Sequence, residues 1–571
     1  VLTRAVLALL VVTLGAVWYL QRPASPRVFA GPAAREVRGA IHVHSTRSDG
    51  GGDAGEIAAA AGRAGLNFVI VTDHGDASRT LDAPRYLSGV LYIDAVEIST
   101  DEGHVVVLDL PASPYPLGGE ARDVLEDVMR AGGFAIAAHP DSEKVDLRWR
   151  DDQTPVDGIE WLNGDSEWRD EALPDLARAL VMYPVYGSRA LVSLLDRPVS
   201  TLARWDALAA RRRTVGIAAT DAHQRLNLRS PDEPSRTGSA LPVPSYEQTF
   251  RMYSNVLPSV TLSGDAPTDA RLVVDAIRGG AVYSVVDGIA TPGRLSVTAV
   301  SGATTASMGG GLPAGGLVTF RVALDGPPDA VLRLIRNGEV LVSEPGVTLD
   351  HTVTGNGAGA YRVEALLPGA PGVPSVPWIV SNPVYVGDPE PQVRVASAPR
   401  ATAVSPQYVD GPATTWRVER SASSRAALDE VAAVEGRQLS LRYALGGMAT
   451  ESAFAAFVMP AGTDLPGHDT LVFTARADHP MRLSIQLREA GENGARWHRS
   501  VYLDQESRTV RVSFDDMRPR GAAPTARPVL DRVDSVLFVV DTVNTPVGGN
   551  GTVWLDEVRY ARERTGATSA P

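Results

Sequence analysis

Along the first half of the chain, short apolar runs alternate with longer stretches whose apolar positions recur every three or four residues. The runs are "GAIHVHS", "NFVIVTDH", "LYIDAVEIST", "HVVVLDL", "GFAIAAHP", "GIEWLN" and "TVGIAATDAH". Segments of this length, bounded by polar and turn-forming residues, read as buried strands. Between them, "DAGEIAAAAGRAG", "EARDVLEDVMRAGG" and "DEALPDLARALVMYPVYGSRALVSLLD" carry a helical period. The alternation spans residues 35–290 and predicts a parallel β/α architecture, a length that suits one barrel.

The pattern then changes. Residues 292–388 hold short alternating runs such as "RLSVTAV" and "LVTFRVAL" between Gly/Pro turns, which predicts an immunoglobulin-like β-sandwich. Residues 389–413 read as a linker, and 414–562 as a second strand-rich module, similar to jelly-roll carbohydrate-binding domains. Residues 563–571 read as a tail. At the other end, the apolar run Ala5–Leu20, flanked by Arg4, Arg22 and Arg27, predicts a signal or transmembrane anchor within residues 1–27. That segment implies export, with the catalytic part held extracytoplasmically (bacterial periplasm or outside) on the cell membrane.

Composition narrows the chemistry. A chain of 571 residues is too long for one core, and a net charge of −13 offers no basic surface for nucleic acid. One lysine, Lys144, stands against 53 arginines. Cysteine is absent, so any metal site must use histidine and carboxylates.

Six of the ten histidines fall at or beside strand ends of the β/α segment: His42, His44, His74, His104, His139 and His223. His42 and His44, two apart, would share one face of a strand. Asp49, Asp73, Glu97 and Asp221 hold comparable positions. Six histidines with Asp49, Glu97 and Asp221 exceed the donors one ion takes, so two or three divalent ions are expected. No phosphate-binding glycine loop and no G-x-S-x-G elbow competes for the role.

In order and spacing, "HVHSTRSDG", "VTDHGD", "VEIST", "EGHVVVLDL", "AHP" and "TDAH" resemble the motifs of the PHP (polymerase and histidinol phosphatase) metallohydrolases. "GIEWLNG" and "VVDAIRGGAVYSVVDG" are similar to the carbaryl-hydrolase-like (CehA/McbA-type) branch. The resemblance implies a distorted (β/α)7 barrel. It places His42, His44, Glu97 and Asp221 on one ion, Glu97, His104 and His139 on a second, and Asp49, His74 and His223 on a third. The ions would be Mn, Fe or Zn. Glu97 and Asp221 carry catalysis in this reading, with Asp73 beside them steering His74 or a water.

Substrate contacts are sought in the loops after the strands: Lys144, Arg148, Arg225 and Arg229 as cations for phosphate oxygens, and Asn163 as an orienting amide. In the last module Trp416, Trp497 and Trp554 are candidates for stacking on a glycan or for filling a core. The expected function is a metal-dependent phosphoesterase using metal-bound hydroxide on a small-molecule or surface ester. A carboxylic or carbamate ester hydrolase with the same metal site is the alternative, and a cell-surface glycan-binding protein is a third reading.

Overall fold

The computed structural model describes residues 22–29, 36–226, 241–291, 293–354, 357–368, 375–387, 407–408, 416–432, 437–447, 452–491, 494–521 and 523–562. The chain divides into two compact units, residues 1–111 with 120–394, and residues 112–119 with 395–571.

In the first unit the apolar runs form strands, but the strands belong to two sheets. One sheet has the order Val215–Ala219, Gly158–Asn163, Phe134–Ala137, Gly103–Leu108, Val96–Thr100. The other runs through Ile379–Ser381, Tyr283–Val285, Ser254–Leu257, Val37–Ile41, Phe68–Val71, Val90–Asp94 and Arg85–Leu87. Val37–Ile41 and Phe68–Val71 are parallel and joined through the helix Ala54–Arg63, which starts on an Asp53/Glu56 capping box.

The expected (β/α)7 barrel is therefore corrected to two mixed sheets. Several neighbouring strands run antiparallel, Val96–Thr100 with Gly103–Leu108, Gly103–Leu108 with Phe134–Ala137, and Ser254–Leu257 with both Val37–Ile41 and Tyr283–Val285, whereas a barrel with a helix after every strand is parallel throughout. Connection length explains part of the difference. Only Asp101 and Glu102 separate Val96–Thr100 from Gly103–Leu108, and so short a link permits only an antiparallel hairpin. The run "LYIDAVEIST" is also two strands, not one. It breaks at Ala95, and the chain passes there from one sheet into the other.

Buried asparagines stitch the sheets together. Val215–Ala219 is the last strand of its sheet, and an edge strand leaves main-chain groups unpaired. Asn382 accepts from Gly216 N–H (2.8 Å) and donates to Gly216 O (2.8 Å) and Val282 O (2.9 Å). Asn255 does the same for Ala218, accepting from its N–H at 3.0 Å and donating to its carbonyl at 2.7 Å. Further along the same seam, Thr220 N–H donates to Ile41 O at 2.9 Å and His44 N–H to Ala222 O at 3.0 Å.

The strands expected as a separate sandwich share this framework. Thr304–Ser307, Arg294–Ser301, Val318–Asp325 and Thr348–Val353 form a four-stranded sheet, while Ile379–Ser381 pairs with Tyr283–Val285 in the long one. Arg362, buried, forks onto Asp206 (2.7 and 2.8 Å) and ties the two segments together.

The second unit is a jelly-roll-like β-sandwich of two six-stranded sheets. Phe457, Phe473, Ile485, Trp497, Phe538 and Tyr560 belong to the core between them. The run Ala5–Leu20, expected as a signal or membrane helix, lies outside the described residues, as do the tail 563–571 and most of the linker 389–413. Among the described residues no helix is long and apolar enough to cross a membrane, so the membrane helix is not part of the fold described.

The seam yields a test. Asn382→Leu leaves Gly216 N–H and C=O buried without their partner, which should cost about 2–4 kcal/mol of unfolding free energy. Urea titration of the two proteins reads this directly, and an unchanged midpoint would show that the seam does not depend on the amide.

Candidate metal centre

The site forms where the two sheets meet. His42 and His44 follow Val37–Ile41, His74 follows Phe68–Val71, and Asp221 and His223 follow Val215–Ala219. Glu97 and His104 lie on the hairpin of the five-stranded sheet that also holds Val215–Ala219, and His139 follows Phe134–Ala137 of that sheet. The isolated bridges Val43–Ala222 and His74–Glu97 bring these ends together.

His42 and His44 do not converge through strand alternation, because the strand stops at Ile41. His42 instead takes a φ of 67°, and His139 and Asp221 take 31° and 46°. Such left-handed backbone is sparsely populated for non-glycine residues and costs about 1–3 kcal/mol at each position. After His44 the chain folds back through "SDGGG", and a Cβ at Gly50 would lie 2.1 Å from His44 O. That turn carries Asp49 into the cluster.

The donor geometry is specific. His42 Nε2 lies 3.1 Å from His44 Nε2, 3.3 Å from Glu97 Oε2 and 3.3 Å from Asp221 Oδ1. His44 Nε2 lies 3.2 Å from Glu97 Oε2 and 3.3 Å from Asp221 Oδ1. Bond lengths of about 2.0–2.1 Å in a tetrahedral zinc site put neighbouring ligands about 3.3–3.4 Å apart. These four residues thus fit a divalent ion. The other oxygen of Glu97, Oε1, is 2.8 Å from His104 Nδ1 and 2.9 Å from His139 Nε2. Asp49 Oδ2 lies 3.3 Å from His223 Nε2 and 3.6 Å from His74 Nε2. Glu97 therefore faces two donor groups at once, and all nine residues named from the sequence meet here.

Charge follows the geometry. Burial alone would discharge His42, yet Asp221, Glu160 and Glu97 hold it well above the ordinary imidazole value. His44, equally buried, is held at about 10 by Asp221, Glu97 and Asp49. Burial likewise opposes ionisation of Glu97, but His74, His42 and His104 pull its carboxyl well below the usual range. Without metal these carboxylates favour protonated His42 and His44, and an ion would take the place of those protons.

Glu160, which sequence reasoning passed over, supports the cluster from behind. Its Oε1 is 2.6 Å from His42 Nδ1, and its Oε2 accepts from His139 N–H (2.7 Å) and from Asn163 Nδ2 (2.8 Å). A carboxylate on the far nitrogen of a metal-facing imidazole fixes its tautomer and raises its basicity. The signal was present in "GIEWLN", an acid flanked by apolar residues inside a buried strand. Tyr246 was also missed. It donates to His44 O at 2.7 Å and accepts from Gly52 N–H at 3.1 Å, bracing the Asp49 turn.

The remaining predicted residues are placed differently. Asp73 Oδ1 accepts from Ser45 N–H and Ser48 Oγ, and its Oδ2 from Ser45 Oγ, so it anchors the Ser45–Ser48 turn. Asn163 caps the helix Gly164–Arg169 with its oxygen and donates to Glu160 and Asp221 (3.3 Å). Lys144 is half-buried in the loop after His139, and Arg148 Nε donates to Ser142 O there. Arg225 lines a cavity together with Asp221 and His223. Arg229 lies outside the described residues.

No family model matches this chain, and no curated protein does. Several solved structures are similar over about a quarter of it. The family 11 carbohydrate-binding module of the cellulase Lic26A-Cel5E of Clostridium thermocellum is 15% identical, covering 28% of this chain and 96% of its own, with a TM-score of 0.23. The mannan-recognising module TmCBM27 is 12% identical over 29% of this chain and 99% of its own, at 0.21. The family 30 module of Cel9D-Cel44B of C. thermocellum is 11% identical over 28% and 95%, at 0.20. At these values the likeness assigns neither a ligand nor an activity to this chain.

The electrostatics predict a pH dependence with opposite signs in the two metal states. In chelator-treated protein, His44 is raised from 6.5 to about 10, so its stabilisation is complete below pH 6.5 and lost as pH rises toward 10. Metal-loaded protein should gain stability over the same interval, since deprotonated imidazole is the ligand form. Thermal melts at pH 6, 8 and 10 distinguish the curves, and parallel curves would contradict the ion-pair account. Glu160→Gln should weaken metal retention about 10–100-fold, measured by competition with a chelator, while the fold persists.

Proposed function

We propose that the N-terminal unit is a metal-dependent hydrolase of phosphoesters, with two or three divalent ions held by the nine donors. The observation that carries the reading is the cage of His42, His44, Glu97 and Asp221, with Glu97 shared toward His104 and His139. Divalent ions bound there would supply an activated water near neutral pH and charge stabilisation for a phosphoryl group. The motif resemblance to PHP metallohydrolases supports the same reaction class.

The chain's own residues do the rest. Glu160 holds His42 in one tautomer and also fixes the His139 main chain. Asp73 and Tyr246 lock the turn that presents Asp49. With three divalent ions bound, three carboxylates among the donors, or four with Glu160, would leave net positive charge, which suits an anionic ester. Arg225, on the cavity wall beside Asp221 and His223, adds a cation within the same region.

A second reading concerns the C-terminal unit. Trp416 and Trp497 are core residues, whereas Trp554 is half-buried, on the opposite side of its strand from the core residues Val553 and Leu555. Arg476 lies 3.7 Å from the centre of its ring. A planar ring backed by a guanidinium can serve as a platform for a sugar. Screening the full chain and Trp554→Ala on a glycan array tests this reading. Glycan binding lost in the variant would support it, and no binding by the wild type would remove it.

For the hydrolase, Glu97→Gln withdraws the shared negative charge at nearly constant shape. Turnover on a panel of phosphomonoesters, phosphodiesters and carboxylic or carbamate esters should fall by about two orders of magnitude or more. His351→Ala, on the distant strand Thr348–Val353, should stay within a few-fold of wild type. Equal activity in the two variants would mean that the cluster is not the catalyst, and preference for carboxylic or carbamate esters would change the substrate class.

A further inference from the structure

A cavity of about 210 Å³ opens beside the donor cluster. Asp221, His223 and Arg225 line one part of it, so it is continuous with the site where an ester would react. The helix Leu173–Tyr186 and the residues after it also line it, through Leu176, Ala179, Leu180 and Leu194. Leu180 is 55% exposed, so the helix forms both the wall and the mouth.

Away from Asp221, the acidic groups in the lining carry little free charge. Glu167 is buried, and burial together with Asp170 and Asp196 keeps its carboxyl well above the ordinary range. Its Oε2 accepts from Asp196 N–H at 3.0 Å. Asp165 is paired with Arg169 and accepts from Trp168 Nε1 at 2.9 Å. The cavity is thus polar where it meets the cluster and apolar where it leaves it.

We infer that this cavity receives an uncharged, apolar alkyl or aryl group of the ester, placing the hydrolysed bond at the cluster and the hydrocarbon against the helix Leu173–Tyr186. The inference rests on the hydrolase reading for its reaction but on the cavity alone for its ligand. Each methylene drawn from water into such a cavity contributes about 0.8 kcal/mol, or about fourfold in affinity.

Two measurements on metal-loaded, full-length protein separate the claims. The first is calorimetric titration with butanol, hexanol and octanol, which reads the cavity without any reaction. The second is kcat/KM for methyl, butyl and octyl 4-nitrophenyl phosphate. Affinity for the alcohols and kcat/KM should both climb with chain length, by about fourfold per methylene. Ala179→Trp, which fills the cavity from a buried position on its wall, should flatten both gradients. Ala179→Leu, a smaller change less prone to disturb folding, should reduce them. Flat gradients in wild type with turnover intact would overturn the apolar-group inference and leave the hydrolase standing. Saturable octanol binding that Ala179→Trp abolishes, with no turnover of any ester, would support the cavity and overturn the hydrolase.

Discussion

Two buried imidazole nitrogens 3.1 Å apart, His42 Nε2 and His44 Nε2, impose the constraint on which the first unit turns. Neither lone pair can face the other unless a proton or a cation lies between them. Both nitrogens also look onto Glu97 Oε2 and Asp221 Oδ1, which stand 3.2–3.3 Å away. Protons can satisfy this arrangement, and that is what raises the histidines and lowers the carboxylates. A divalent ion satisfies it with fewer particles and with the ligand spacing the residues already have.

Holding that geometry costs the fold something, and the cost is met at the seam between the sheets. His42, His139 and Asp221 adopt left-handed backbone, and four carboxylates (Asp49, Glu97, Glu160 and Asp221) are buried at one locus. Asn255 and Asn382 close the gap beside Val215–Ala219 with side-chain amides instead of a continuous ladder. The two strand systems are thereby fixed without being merged, and each delivers donors to the point where they approach. Apolar strands supply the rigidity, while the polar residues just past their ends supply the chemistry.

The donors were legible in the sequence because chemistry marks them. Histidines ending apolar runs in a chain without cysteine have few other uses, and the structure gathers all nine donors. The topology was not legible. "LYIDAVEIST" has no break in hydrophobicity at Ala95, where the chain changes sheets, and apolar runs do not reveal strand direction. The two-residue link at Asp101–Glu102 did carry that information and argued for a hairpin. Asp73 and Asn163 show a second limit. Their position beside ligands is what a substrate or water contact would have, and only the hydrogen bonds show them committed to the Ser45–Ser48 turn and to a helix cap. Glu160 shows the converse, since an acid within a buried strand signals a partner without naming it.

Elemental analysis decides whether the cluster holds several metal ions. Full-length protein, purified without chelator and reconstituted with Mn, Fe or Zn, should hold at least two equivalents per chain after desalting. Less than one equivalent under the same conditions would mean that the cluster is not a multinuclear metal centre.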